Sequence, residues 1–567
     1  MQANLPDSLP PLAAADAALA DWESQRPHWE ELQHRALPDA AALELWIHDW
    51  NALSDVVGEI STRLNIAANC DTRDAGKAAA LLNFIETVEP KLAVAGDALN
   101  RKLLAHPAVT ALPADHQRWL LSARMGIALF CDENLPLHTE LSRLVQTYDE
   151  IQGVMTVEWE GETRNLAWME SLLQEPDRAV REKAWRLSAE RRLLDQNRLD
   201  ALFDRMLELR RQVAANLKLP DFVDYAFKSN LRTDYSAADC RIFHAAVETA
   251  AVPIYRDALE SRRQALGLEQ LRPWDLDCDT AGLPPLKPFA AIPELIEKTG
   301  RIFARLNPAL AEHFAILQGN PLMDLDSRVG KAPGGYQASL EKSRLPFIYM
   351  NAVGLNRDLF TLLHESGHAF HYLLARGQAL PFNRGAPMEF CEVASMAMER
   401  LGAAHLDEFY APADIRRAVA SQDEKLFRIF PWIATIDAFQ HWLYTTPHTP
   451  AQRREQWLEL DERFGPGVDW SGIERHRGHF WHKQLHLFHA PFYYIEYGIA
   501  QIGALQVWQR AVKDPAEALR LYQHALSLGG TLGLRDLFSA AGLKFGMDEE
   551  TIKPLLEKVR EEWQAAR

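Results

Sequence analysis

The segment His364-Glu365-Ser366-Gly367-His368 combines the residue types that hydrolytic metal centres use. In a helix, side chains four positions apart lie on one face, so His364 and His368 can reach a single metal ion. Glu365 lies at the edge of that face, where it can contact a water molecule on the metal without being a ligand itself. Two histidine ligands with an adjacent carboxylate base predict a zinc hydrolase.

A third ligand must come from elsewhere, because residue 374 is leucine where a third histidine would follow in one well-known version of this motif. The next apolar segment, 387–402, carries Glu389, Glu392 and Glu399 along roughly one helical face. Periodicity does not select one of these acids as the ligand. Glu399, two turns beyond Glu392, would also suit an outer position in which it orients a histidine N–H group.

A histidine- and tyrosine-rich segment nearer the C-terminus offers hydrogen-bond donors for a developing oxyanion. Tyr493 and Tyr497 are four positions apart, and Tyr494 and Tyr497 are three apart, so either pair can present two hydroxyls on one helical face. His486 and His489 both precede the tyrosines, and we favour His486 as their partner. The spacing alone favours an aromatic stripe in the core over a catalytic group.

The residues around the motif predict a buried helix to carry it. Asn356 can cap this helix, and Asp358 lies in its first turn, where the helix dipole favours an acid. Apolar residues flank the motif on both sides, and Gly377 is placed to end the helix. Burying two histidines and a glutamate in such a helix without a metal or polar partners would be costly.

Residues 331–351 predict β-structure next to the motif, with two strands joined by a polar turn at 341–344. Gly334, Gly335 and Tyr336 stand where the first strand begins. An exposed strand edge at this place could bind the backbone of a peptide by strand addition. The alternative interpretation is an ordinary turn.

Helical periodicity dominates the remaining chain and defines a mostly α fold class. Residues 154–165 alternate around a glycine and predict a β-hairpin, and the Pro-rich residues 268–293 predict an extended connection. The predicted helical runs are 40–66, 77–105, 115–130, 136–152 and 177–217.

Composition narrows the classes of partner. The chain has 567 residues, of which 47% are hydrophobic, and its 61 basic and 78 acidic side chains give a formal charge of −17. Such an acidic balance argues against nucleic acid and anionic membranes as partners. The five cysteines are widely spaced without a C-x-x-C pair, which predicts reduced thiols. No secretory signal or membrane-spanning segment is apparent, so we expect a cytoplasmic protein.

The motif and its surroundings together resemble peptidase family M3, and most closely its oligoendopeptidase F branch. The resemblance depends on HESGHAFH, on EFCEVASMAMERL after it, and on LPFIYMN before it. The segments WHKQLHLFHAPFYYIEYGIAQIGALQVW, TVEWEGETRNL and REKAW agree with the same family. The likeness covers roughly residues 150–545 and is weak before about residue 100.

The resemblance implies an elongated helical fold of the zincin type, with a small β-sheet near the active site and a deep substrate channel. It implies one Zn²⁺ per chain on His364, His368 and Glu392, with Glu365 as base and Glu399 as a supporting acid. It further implies that tyrosines of the later segment, with a preceding histidine, contact the substrate or the oxyanion. We therefore assign Tyr493, Tyr497 and His486 to catalysis, and Tyr494, Gly334, Gly335 and Tyr336 to substrate binding. The expected division is an N-terminal helical region, 1–175, and a catalytic region, 176–567.

The leading hypothesis is a zinc-dependent oligoendopeptidase that hydrolyses internal bonds of short peptides. A metallocarboxypeptidase on a related helical fold is the closest rival, although the sequence shows no committed basic anchor for a free C-terminus. A non-catalytic peptide-binding protein with a structural metal is the third possibility. Structural zinc sites usually have four protein ligands, often cysteines, whereas this set provides three and an uncommitted glutamate. The sequence does not define an oligomeric state.

Overall fold

A computed structural model describes residues 9–328, 330–465 and 467–567. These residues form a mostly helical protein with two small sheets, so the predicted fold class is confirmed. The α-helices of the N-terminal part are α1 Ala14–Ala17, α2 Trp22–His34, α3 Ala40–Cys70, α4 Ala75–Thr87, α5 Glu89–Ala105, α6 Gln117–Leu129 and α7 Leu135–Gly153.

The helices that follow include the two that carry the motif and the acidic face. They are α8 Leu166–Ser171, α9 Arg178–Leu194, α10 Gln196–Asn216, α11 Phe222–Ser229, α12 Ala237–Ala246, α13 Val252–Ala265, α14 Ile292–Leu306, α15 Pro308–Gly319, α16 Asn356–Ala375, α17 Pro381–Arg384, α18 Met388–Gly402, α19 Pro412–Thr445, α20 Pro450–Phe464, α21 Glu474–Gly478, α22 Leu485–His489, α23 Tyr494–Lys513, α24 Pro515–Ser527, α25 Leu534–Ala540 and α26 Glu549–Ala566.

Two helical predictions differ from the structure in ways that proline and capping explain. The run 77–105 is two helices, because Pro90 has no N–H to donate and therefore begins a new helix. Asn356 does not cap α16. The cap residue is Leu355, and the Asp358 carboxylate accepts hydrogen bonds from the backbone N–H groups of Val353 (2.7 Å) and Leu355 (2.9 Å).

The predicted hairpin forms from β1, Thr156–Trp159, and β2, Glu162–Asn165, joined at Glu160 and Gly161, which both have positive φ. The second sheet has the order β3-β5-β4, with β3 Met323–Asp326, β4 Tyr336–Leu340 and β5 Leu345–Ala352. Strands β4 and β5 lie within the predicted β-region. Strand β3 was not predicted, since its sequence MDLD has little β-propensity, and it forms by pairing parallel to the buried β5.

The C-terminal end of α3 supports this second sheet directly. The backbone oxygen of Asn69 accepts hydrogen bonds from the Ala332 N–H (2.8 Å) and the Tyr349 hydroxyl (3.0 Å), and its side-chain amide donates to the Tyr336 hydroxyl (3.1 Å). One side of the β4–β5 turn is held in the same way, because the hydroxyl of Ser343 donates to the buried Glu59 carboxylate (2.7 Å). The N-terminal helices therefore fix the position of the strand that borders the motif.

Helices α16, α18 and α23 pack tightly at positions occupied by glycine. A Cβ on Gly367 of α16 would lie 2.6 Å from the Ala394 carbonyl oxygen of α18, and one on Gly503 of α23 would lie 2.6 Å from the Val393 side chain. Most buried apolar residues form one large core around these helices, whereas a second core lies within α2 to α6. The division between residues 175 and 176 stays a prediction.

No α-helix among the residues described by the structure combines the length and the hydrophobicity that crossing a membrane requires.

Candidate active site

Helices α16 and α18 bring two imidazoles and one carboxylate together. The Glu392 Oε2 atom lies 3.4 Å from His364 Nε2 and 3.6 Å from His368 Nε2. Ligand atoms that each lie about 2.0–2.2 Å from a tetrahedral zinc ion are separated from one another by distances similar to these two separations between Glu392 and the histidines. The donor set of two imidazole nitrogens and a carboxylate oxygen therefore fits a zinc ion.

Glu399, one of the other two acids on α18, contacts His364 from the opposite side of the imidazole. Its Oε1 atom lies 2.7 Å from His364 Nδ1. When a metal ion is bound, a proton on Nδ1 that is donated to this carboxylate would leave the Nε2 lone pair for the metal. The structure thus places Glu399 where it fixes both the tautomer and the orientation of His364.

Glu389, the remaining acid, lies outside this cluster. Its carboxylate accepts a hydrogen bond from the Tyr235 hydroxyl (2.7 Å) and lies 3.9 Å from Arg232 Nε. The acidic face of α18 is therefore divided between two environments, and only Glu392 and Glu399 reach the histidines.

Glu365 is buried, and its Oε2 atom has no hydrogen-bond partner among the described residues. Burial raises the pKa of Glu365 to about 7, although the nearby His364 and the backbone N–H of Gln337 on β4 both act to lower it. A carboxylate with a pKa near neutrality and a free oxygen is suited to exchange a proton.

The Glu392 carboxylate remains ionised despite its burial. Burial alone would raise its pKa, but the charge of His368 and the hydrogen bond from His364 lower the pKa of Glu392 to about 2. Its Oε1 atom also accepts a hydrogen bond from the Tyr493 hydroxyl (2.7 Å), and its Oε2 from Ser395 Oγ (3.0 Å). The Tyr493 contact joins the tyrosine segment to the histidine cluster.

His486 packs among the three tyrosines, with ring centroids 5.5 Å from Tyr493, 5.0 Å from Tyr494 and 5.6 Å from Tyr497. Its Nε2 atom lies 3.2 Å from the Tyr497 hydroxyl. Burial lowers the pKa of His486 to about 4, so the imidazole is neutral near pH 7. His489 points away and contacts Asp149 (2.8 Å), so of the two histidines the structure brings only His486 to this group.

Tyr494 differs from its neighbours, because its hydroxyl lies 3.2 Å from the Trp432 Nε1 donor. Trp432 is also 3.2 Å from Gln484 Oε1, and the Gln484 amide nitrogen lies 2.8 Å from His486 Nδ1. Trp432 and Gln484 had no distinguishing signal in the sequence, since their part depends on contacts between α19 and the segment before α22.

The three residues that were expected to bind substrate lie in different environments. Gly335 packs against α16, because a Cβ there would lie 3.4 Å from Thr361 Cγ2, one turn before His364. Gly334 has φ +103° and open space beside it. Tyr336 stacks on Tyr349 at 4.8 Å, away from the histidines, and its hydroxyl accepts from Asn69. Strand β4 lies at an edge of its sheet.

A cavity of about 1110 Å³ adjoins the cluster, and Glu399, Gln484 and Tyr494 contribute to its wall. Seven lysines and arginines but five acidic residues line it, in contrast to the acidic chain as a whole. Neither Lys425 nor Lys483 forms an ion pair with a described carboxylate, and Lys483 Nζ lies 3.9 Å from the centre of the Phe480 ring. Burial lowers the pKa of Lys483 to about 8.

The comparisons with known proteins identify the class of this fold and site as a peptidase. The model of peptidase family M3 matches residues 171–560, which is more than half of the chain, so the chain belongs to peptidase family M3.

Oligopeptidase PepF of Bacillus subtilis is 25% identical over 304 residues, and the match covers 52% of this chain and 44% of that protein. The chain thus matches less than half the length of this curated relative. Among solved structures, PZ peptidase A with an inhibitor is 25% identical, with a TM-score of 0.92 over 100% of this chain and 99% of that one. A putative oligoendopeptidase F has 25% identity and a TM-score of 0.91, over 98% and 97% of the two chains.

Replacing Gly367 by alanine should separate α16 from α18, because the added methyl would overlap the backbone of Ala394 and Ser395, which cannot rotate away. We expect a loss of about 1–3 kcal/mol of stability and weaker metal binding, since Glu392 would move from His364 and His368. Thermal unfolding and metal titration measure the two effects. Gly96→Ala on α5, where a Cβ meets nothing within 4 Å, is the control. An unchanged metal affinity in Gly367→Ala would contradict the prediction.

Proposed function

We propose that this member of family M3 is a zinc-dependent oligoendopeptidase that cleaves internal bonds of short peptides. The observation that carries the proposal is the convergence of His364, His368 and Glu392 beside a buried Glu365 with one free oxygen. A zinc ion on these three side chains would supply a Lewis acid for the scissile carbonyl and lower the pKa of a bound water. A cytoplasmic location stays a prediction.

In the proposed reaction Glu365 accepts a proton from the attacking water and then gives it to the leaving amine. Its raised pKa favours the first step, because a strongly acidic carboxyl would take up the proton poorly, and a value near neutrality still permits the proton to be released. The Tyr493 hydroxyl, which donates to Glu392 in this structure, would turn its proton to the oxyanion as it forms, and the neighbouring Tyr497 hydroxyl can donate there as well. His486 orients Tyr497, and the edge of β4 offers backbone groups to an extended peptide.

Glu365→Gln should retain zinc and lose about 10²–10⁴-fold in kcat, because glutamine fills the same space but cannot accept the proton. Glu389→Gln is the matched control, since Glu389 lies on the same side of α18 yet contacts Tyr235 instead of the histidines. Metal analysis and peptide hydrolysis should be measured on both variants. Hydrolysis that survives in Glu365→Gln would show that another group is the base.

The three tyrosines should separate by kinetics. Tyr493→Phe and Tyr497→Phe each remove a donor from the proposed oxyanion site and should lower kcat by about 10²–10³-fold. Tyr494→Phe removes only the hydroxyl beside Trp432 and should change KM more than kcat. Equal losses in kcat for all three variants would refute this assignment.

The unpaired cations of the cavity bear on the rival hypothesis of a carboxypeptidase. Lys425 lies one helical turn before Arg428 on α19, and the carboxylate of Asp277 is 3.2 Å from Arg428. Lys425 and Lys483 are left without such a partner among the described residues and could hold the C-terminal carboxylate of a peptide. A carboxypeptidase would then release single residues, whereas an endopeptidase would release longer fragments.

Lys483→Met should raise KM about tenfold for peptides with a free C-terminus, which is the loss expected for one hydrogen bond to a charged group. The same peptides with a C-terminal amide should be cleaved at the same internal bond and should not distinguish the variant from the wild type. Lys558→Met, at a lysine that is 53% exposed, serves as the control. Failure of the wild type to cleave any amidated peptide, with release of single C-terminal residues, would favour the carboxypeptidase.

A further inference from the structure

A second cluster of metal-binding residue types lies between α12 and α19. Cys240 and His244 are four positions apart on α12, and Asp437 and His441 are four positions apart on α19. Each pair therefore lies on one face of its helix, as His364 and His368 do on α16. No residue of this cluster takes part in the hydrolytic reaction proposed above.

The cluster is as compact as the proposed zinc site. The Oδ2 atom of Asp437 lies 2.8 Å from His244 Nε2 and 3.4 Å from His441 Nε2. The Cys240 sulfur, one Asp437 oxygen and one His441 nitrogen all lie within 4.8 Å of one another. The 3.4 Å separation equals that between His364 Nε2 and Glu392 Oε2.

Two polar atoms of this cluster need a partner that the described residues do not provide. Cys240 and Asp437 are 0% exposed. The Asp437 Oδ1 atom and the His441 Nε2 atom are buried and make no hydrogen bond. Because buried polar atoms are almost always paired, these two point to an occupant between the helices.

The surroundings favour a cation as that occupant. Aromatic rings border the histidines, with Phe464 6.5 Å from His244, and Phe227 and Phe492 6.1 Å and 5.2 Å from His441. Among such rings a carboxylate oxygen without a partner, such as Asp437 Oδ1, is costly. A divalent cation bound by one thiolate and one carboxylate would leave the cluster with no net charge.

We propose that Cys240, Asp437 and His441 bind one divalent cation of the zinc type. A thiolate, an imidazole and a carboxylate suit a borderline-soft ion and exclude the hard ions Ca²⁺ and Mg²⁺. His244 contacts Oδ2 of the Asp437 carboxylate (2.8 Å) and leaves Oδ1 free for the ion, much as Glu399 contacts His364 Nδ1 and leaves Nε2 in the first site. The fourth position is left to a solvent molecule.

The proposed ion would lie behind the turn that places Tyr493. The Gln440 side chain, next to His441, accepts a hydrogen bond from the Phe492 N–H (2.5 Å). Phe492 has φ +66°, a conformation that is uncommon for a bulky residue, and Tyr493 follows it directly. By joining α12 to α19 at this point, the ion would stabilise the turn and thus the direction of the Tyr493 hydroxyl.

Cobalt substitution tests the proposal in the whole 567-residue chain. Thiolate ligation to Co²⁺ gives a near-ultraviolet charge-transfer band, and none of His364, His368 and Glu392 can give one. Metal-free protein titrated with Co²⁺ should bind two ions per chain and develop this band. The band should disappear in Cys240→Ala and persist in Cys278→Ala and Cys391→Ala, which control for the other buried or neighbouring thiols.

The same titration separates this proposal from the proposed function. Glu392→Gln should weaken cobalt binding at the first site and keep the thiolate band. The absence of a band in cobalt-loaded wild type would overturn the second site. Zinc analysis that finds one ion per chain both in the wild type and in His441→Leu would also overturn the second site, whatever the outcome for hydrolysis.

Discussion

The close contact of α16 with α18 at Gly367 is the constraint on which the site depends. A glycine here lets the backbone of the histidine helix lie against Ala394 and Ser395, two and three residues beyond Glu392. At a larger separation the Glu392 carboxylate would not reach both imidazoles, and Glu399 would not reach Nδ1 of His364. The glycine within the motif therefore has a structural role: it permits the short distance between α16 and α18. It takes no part in the chemistry itself.

The arrangement of charge around this contact gives the three glutamates different properties. Glu392 is buried but stays ionised, because the histidines offset the cost of its burial. Glu365 is buried with less compensation, and its pKa rises towards neutrality. Glu399 contacts Nδ1 of His364 and thereby turns Nε2 of that imidazole towards Glu392. Two adjoining helices would thereby provide, in the proposed mechanism, an anionic ligand, a proton acceptor and an orienting acid.

The sequence predicted the elements that carry the site more reliably than the contacts between them. Helical period and apolar flanks located α16 and α18, and the alternation around Gly161 located the first hairpin, because these patterns are local. The choice among Glu389, Glu392 and Glu399 required the rotation of α18 relative to α16, which no local pattern contains.

The same limit applies to the contacts that lie far apart in the sequence. Trp432 and Gln484 are 52 positions apart and meet only after α19 and the segment before α22 have packed together. Strand β3 was missed for a related reason, since its four residues become a strand only through pairing with β5. The family resemblance supplied the ligand set, and periodicity alone would have left it open.

The support that α3 gives to the second sheet separates two kinds of evolutionary change. Asn69 and Glu59 hold β4 and its turn without touching the histidines, so substitutions in α3 can shift the strand that would lie along a peptide while the hydrolytic residues keep their positions. Substitutions in the N-terminal helices can therefore change which peptides are bound, because these helices do not carry the residues of the hydrolytic reaction. Enzymes that catalyse the same reaction could in this way come to accept different peptide substrates.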